Sequence, residues 1–247
     1  MHIRVINPNT TASMTTAIGA CASAVAGPDV VVEAVSPVFG PESIESHVDE
    51  ALAVPGVLAR VAEGEEAGVD GYVVACFGDP GVQAARELAR GPVVGIAEAG
   101  MRAATYLGRR FSVVTTLQRT VPGIEALTRS YGLANHCGGV HATEIGVVDL
   151  ERDPHARERT LELARVALTA DGSDVLVLGC AGMTDFAAWL GDELGVPVVD
   201  GVAAATTTVV GLVAMGLGTS KAGEFAAPRA KRVSGSWADV DLRLPAP

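Results

Sequence analysis

One pattern occurs twice in this chain and limits what it can fold into. VDGYVVACFGDPG (69–81) and SDVLVLGCAGM (173–183) both run from an apolar, β-branched stretch into a cysteine and then a glycine. A shift of 104 residues carries Gly68 onto Gly172, Asp70 onto Asp174, Val73 onto Val177, Cys76 onto Cys180 and Gly78 onto Gly182. One inserted residue later, PVVG at Pro92 meets PVVDG at Pro197, while IRVINPNT (3–10) and FSVVTTLQ (111–118) open the two halves. A shared order of strand, cysteine, glycine and helix is the signature of an internal duplication.

The segments between these motifs alternate in type. Strands are expected at 3–7, 30–36, 71–76, 92–96, 111–116, 139–145, 174–180 and 197–201, with helices at 11–26, 46–67, 80–90, 97–107, 122–131, 154–170, 184–194 and 201–217. Alternation at this spacing implies parallel sheets built from right-handed βαβ units. The expected fold is therefore α/β: two similar parallel-sheet lobes related by pseudo-twofold symmetry, with the site in the cleft between them. The first lobe should hold residues 1–96 plus 200–247, the second 97–199. From Thr219 the chain loses periodicity and is expected to wrap the surface or fray.

Composition narrows the class of function. Eighteen Lys+Arg against 29 Asp+Glu give a net charge of −11, which argues against nucleic acid or an anionic membrane as partner. The start, MHIRVINPNT, does not read as a secretory signal. The uncharged stretch 201–220 is long enough to raise a transmembrane reading, but its glycines and three consecutive threonines favour a helix buried within the protein. The cysteines at 21, 76, 137 and 180 form no CxxC and no metal-type cluster with the five histidines, so they are expected as reduced thiols in a cytoplasmic protein.

Cys76 and Cys180 fall at the carboxyl ends of parallel strands, where such sheets bind ligands. After Cys76, Gly78-Asp79-Pro80 reads as a turn, an Asp N-cap and a proline in the first helical position. A helix N-terminus would stabilise a thiolate or a developing oxyanion, and small residues let a ligand approach the backbone. Cys21 belongs to the apolar face of a helix, and Cys137 to a loop or strand edge. Asn7, Asn9 and Thr10 follow the first strand; Thr115 and Thr116 close its counterpart. Ser43 either caps a helix or faces the cleft. His47, His136, His141 and His155 show no ligand spacing, and neither a dinucleotide loop nor a P-loop is present.

Several segments together resemble the aspartate/glutamate racemase superfamily, and within it the hydantoin racemase branch. They are INPNT (6–10), GPESIES (40–46), DEALAVPGVL (49–58), ACFGDPG (75–81), GPVVGIAEA (91–99), VVTTLQRTVPGIE (113–125), GCAGM (179–183) and GVPVVDGVAAA (195–205). Where the amino-acid racemases carry Cys-Asn-Thr, this chain has Cys76-Phe77-Gly78, which suits a neutral ring better than an α-carboxylate. The resemblance implies an isomerase that interconverts D- and L-5-monosubstituted hydantoins without cofactor or metal. Cys76 and Cys180 would work on opposite faces of the substrate, with contacts from Asn9, Ile44, Phe77, Gly78, Thr116, Ala181 and Gly182. It also implies a homo-oligomer whose partner is the small-molecule substrate.

The rival within the family is allantoin racemase, since allantoin is a 5-substituted hydantoin carrying a ureido group. Decarboxylase relatives typically use one cysteine, and maleate isomerase relatives match the cysteine contexts less well. From other classes, a cleft-type small-molecule binding protein would have no need of paired thiols, and a redox protein is a further alternative.

Overall fold

The computed structural model describes residues 1–230 and residue 234. The first sheet holds β1 (His2–Ile6), β2 (Val31–Val35), β3 (Gly71–Val74) and β4 (Val93–Gly95) in the order β2-β1-β3-β4. The second repeats that order as β6-β5-β7-β8, with β5 (Phe111–Thr115), β6 (Cys137–Ala142), β7 (Val175–Leu178) and β8 (Val198–Val199). Every pairing is parallel. The helices are α1 (Ala12–Ala26), α2 (His47–Ala67), α3 (Val82–Leu88), α4 (Ile96–Leu107), α5 (Val121–Ser130), α6 (Ala156–Asp171), α7 (Ala187–Leu194) and α8 (Gly201–Ala214). Two parallel sheets with flanking helices make two α/β lobes of one topology.

The repeated residues do the same work twice. Gly68 and Gly172 end α2 and α6 in the left-handed conformation, at φ 72° and 61°, where a Cβ would be strained. Two residues on, the Asp70 carboxylate accepts the His2 N–H, and that of Asp174 accepts the N–H groups of Arg109 and Arg110. Each aspartate thus pins the start of its lobe's central strand. β3 and β7 follow, buried along their whole length as interior parallel strands require.

The lobes exchange helices. α4 leaves β4 of the first sheet and packs on β5, β7 and β8 of the second, whereas α8 leaves β8 and packs on β1, β3 and β4 of the first. The two helices also pack against each other. Gly201 permits their crossing, since a Cβ there would stand 2.7 Å from the Ile96 carbonyl oxygen. One apolar core therefore runs from Val5 and Val73 through Ile96, Met101 and Val202 to Val113 and Val177.

Two local expectations need correction. Asp79 does not cap the helix that follows it: α3 begins at Val82 with Gly81 as its N-cap, and Pro80 lies in the preceding turn. At φ 47° the Asp79 backbone is left-handed, and the carboxylate instead accepts the Ala97 and Glu98 N–H groups at the start of α4. Gly95, the formal N-cap of α4, has no side chain for that task, and a Cβ on it would fall 2.2 Å from the Asp79 carboxyl carbon. The second correction concerns Ser43. Ser46 caps α2, accepting the Asp49 N–H and donating to the Asp49 carboxylate, a reciprocal pair of the capping-box kind.

The apolar stretch 201–220 forms a helix ending at Ala214, with one face buried through Val202, Ala205, Thr206 and Val209. Among the described residues no helix is long and apolar enough to cross a membrane. The segment after Thr219 lies along the first lobe. Thr219 bonds the Arg90 and Gly91 carbonyls, Lys221 those of Arg86 and Glu87, and Phe225 sits under Arg86. Residues 231–233 and 235–247, which the expectation for the tail also covered, lie outside the described residues.

Candidate active site

In each sheet the direction of chain progression reverses between the two central strands, β1 and β3 in one and β5 and β7 in the other. Beyond the carboxyl ends of such a pair lies the crevice where open parallel sheets bind ligands. Here two crevices face each other and enclose a cavity of about 390 Å³. Cys76 enters it from the end of β3 and Cys180 from the end of β7, with Asn9 following β1 and Thr115 and Thr116 closing β5. Ile44, Phe77, Gly78 and Ala181 complete the set of expected residues on its wall. Gly182 is not on that wall; its N–H is directed to the Cys180 Sγ at 3.4 Å.

All four cysteines are free thiols. Cys21 packs on the core from α1 and donates to the Asp200 carboxylate, and Cys137 opens β6 at the edge of the second sheet. Neither lines the cavity.

The electrostatics reverse one expectation. Proximity to a helix start was expected to bring the thiols toward working pH, but burial pushes Cys76 up to about 12 and Cys180 up to about 11. The Gly78 and Gly182 N–H groups oppose this without overcoming it, because a charged sulfur loses more hydration than one amide returns. Nearby negative charge adds to the effect. Cys180, Asp79 and Glu50 raise the Cys76 value, and Glu45 raises that of Cys180.

The wall is divided in character. Phe77, Met14, Ile124 and Val147 present apolar surface, while Asn9, Glu50, Thr116 and Arg119 present polar groups. The Asn9 Oδ1 is already engaged by Asn7 Nδ2 and the Thr11 N–H, and among the described residues its Nδ2 meets only the Met14 sulfur, a weak acceptor. One amide donor thus remains for a ligand oxygen.

Comparison with known proteins decides the family. The Asp/Glu/Hydantoin racemase family model matches residues 3–209. The chain belongs to this family. It is 48% identical to the hydantoin racemase of Rhizobium meliloti, over 95% of this chain and 98% of that protein. Among solved structures it is 50% identical to the allantoin racemase from Klebsiella pneumoniae, with a TM-score of 0.95 and coverage of 97% and 98% of the two chains. The allantoin racemase from Pseudomonas fluorescens is 42% identical, with a TM-score of 0.91 over 95% of this chain and 100% of that one. The chain is a racemase, and so an isomerase.

For this racemase, residue-level reading missed a rim. His47 and Glu50, three residues apart at the start of α2, pair with each other at 3.3 Å and both line the cavity. The Glu50 carboxylate lies against the Gly78 Cα, where a Cβ would meet its Oε1 at 2.6 Å. Glu45 reaches across to the second lobe and accepts the Val147 N–H. An i, i+3 pair in the first turn of a helix was the available signal for His47 and Glu50. Nothing local marked Glu45, whose partner lies 102 residues away.

Proposed function

We propose that the protein racemises 5-monosubstituted hydantoins by removing the C5 proton on one face and returning a proton on the other, with Cys76 and Cys180 as the two acid–base groups. The observation that carries this reading is the entry of both thiols into one cavity from equivalent strand ends. C5–H lies beside a ring carbonyl, so its loss spreads charge onto that oxygen. A thiolate on one side takes the proton while the thiol opposite donates one. With proton-transfer contacts of about 3–3.5 Å on each side of one carbon, the sulfurs stand roughly 6–7 Å apart around bound substrate. The free Asn9 amide and the backbone N–H groups beside each cysteine suit the enolate-like oxygen. Thiols and substrate carbonyl together suffice for the chemistry, so the reading includes no metal and no cofactor.

Ile44 and Phe77 are assigned to the C5 substituent and Gly78, Thr116 and Ala181 to the ring, while Gly182, off the wall, acts through its N–H on the Cys180 sulfur. Lobe boundaries of 1–96 plus 200–247 and 97–199 belong to the same reading, supported by the packing of α8 on the first sheet and α4 on the second. So does a cytoplasmic homo-oligomer: the free thiols suit a reducing compartment. Allantoin is kept as a second substrate reading because two allantoin racemases match closely in structure. Glu50 and Arg119 on the wall also suit its ureido group.

The test is polarimetry on chelator-dialysed protein without added pyridoxal phosphate, using single enantiomers of allantoin and of alkyl- and aryl-substituted hydantoins. Racemisation of at least one hydantoin is expected, and the ranking of kcat/KM chooses between the substrate readings. Cys76→Ser and Cys180→Ser should each abolish racemisation. In deuterium oxide each should still exchange the C5 proton of one enantiomer, with opposite hands for the two variants. Full racemisation by either variant would overturn the two-thiol reading.

A further inference from the structure

Each cysteine-bearing turn is tied through a carboxylate to the head of a crossing helix, the carboxylate coming from the turn in the first lobe and from the helix cap in the second. In the first lobe Asp79, three residues after Cys76, donates its N–H to the Cys76 carbonyl. Its buried carboxylate holds the Ala97 and Glu98 N–H groups at the head of α4, both at 2.9 Å, and the Tyr131 hydroxyl at 2.7 Å. Tyr131 follows α5 in the other lobe, whose residues Gly123, Ile124 and Leu127 line the cavity. In the second lobe Thr184, four residues after Cys180, donates at 2.6 Å to the Asp200 carboxylate. That carboxylate caps α8 through the Ala203 N–H at 2.7 Å and accepts from the Cys21 thiol of α1 at 3.3 Å. Both arrangements join three things: the turn carrying a catalytic thiol, the head of a helix that crosses between lobes, and a donor from the opposite lobe.

We propose that these are two separate clasps, one per thiol, in which Asp79 with Tyr131 positions Cys76 and Asp200 with Thr184 positions Cys180. They are positioning residues, since neither aspartate lines the cavity. The inference rests on the two-thiol reading above. A carboxylate with several fixed donors holds its turn in place, and a loosened turn lets its sulfur drift from the substrate carbon. Misplacement of a reacting group by a fraction of an ångström costs about tenfold or more in rate.

A racemase gives this idea an uncommon readout. The two enantiomers have equal free energy, so kcat/KM for racemisation stays equal in both directions whatever is mutated. Exchange of the C5 proton with solvent is under no such constraint and reports on one thiol at a time. Tyr131→Phe and Asp79→Asn should slow deuterium exchange of the hand that Cys76→Ser abolishes, by about tenfold, and leave the other hand within about twofold. Thr184→Val, which spares the cap on α8, should do the reverse, and Thr184→Ser should restore the lost rate. Proton NMR on each pure enantiomer measures all of these, and Tyr131→Phe serves if Asp79→Asn fails to fold. Equal slowing of both hands by Tyr131→Phe or Thr184→Val would overturn the clasps while leaving the two thiols intact. If the cysteine variants themselves show no opposite preference, the underlying reading fails instead.

Discussion

At the scale of single residues, the site works against its own nucleophilicity. Burial and nearby carboxylates hold Cys76 near 12 and Cys180 near 11, against 9.0 for a free thiol, so little thiolate exists at neutral pH. On the two-thiol proposal, raising the pH deprotonates one of the pair and leaves the other as donor. After subtraction of the uncatalysed rate, kcat/KM should therefore climb continuously from about pH 7 to about pH 9, because both values lie above that window. A plateau below pH 8 would show that the thiols titrate lower than this environment dictates. The meeting of Cys76 and Cys180 on one cavity was legible from their repetition, since both follow equivalent strands of the two lobes. Their proton affinity was not legible, because it depends on how much water the opposing lobe removes. The partner of Asp79 was equally hidden: an Asp-Pro pair reads as a local cap, whereas the carboxylate turns to a helix head 18 residues away.

At the scale of elements, the strands and helices were placed to within a few residues, since buried parallel strands and Ala/Leu-rich helices alternate clearly in this chain. The differences fall at ends. α3 starts at Val82 rather than at residue 80 because Gly81 takes the left-handed turn, and α8 stops at Ala214. The loop before α2 deserves a test of its own, as Ile44, Glu45 and Ser46 all line the cavity and Ser46 also caps the helix. Ser46→Ala should cost about 1 kcal/mol of stability, as loss of an N-cap generally does. It should also raise KM more than it lowers kcat, because the loop would lose its anchor while the thiols keep theirs. Thermal melts and steady-state kinetics on the same preparation check both parts; an unchanged melting temperature would show that Asp49 alone holds the helix start.

At the scale of the whole molecule, the two lobes are joined where α4 and α8 cross and pack against each other. Gly201→Ala would place a methyl group 2.7 Å from the Ile96 carbonyl and force the helix heads apart. The expected loss is about 1–3 kcal/mol of stability, as for other overpacked sites. The expected kinetic signature is a lower kcat for both enantiomers together, read by polarimetry beside a melting curve; wild-type values in both would show that the crossing has slack. The exchange of helices has a further consequence. A half-chain ending at Leu107 would carry α4 without the sheet it covers, so it could complete itself only by trading that helix with a second copy. Such a pair would bring its two identical strand ends together on the twofold axis. A planar carbon sitting on that axis would meet the same group from above and from below. The proton of either mirror-image substrate would then meet a chemically identical group, although the rest of the chiral site would still differ towards the two hands. In the single chain the two halves have different neighbours, yet the ends of β3 and β7 still open onto one cavity.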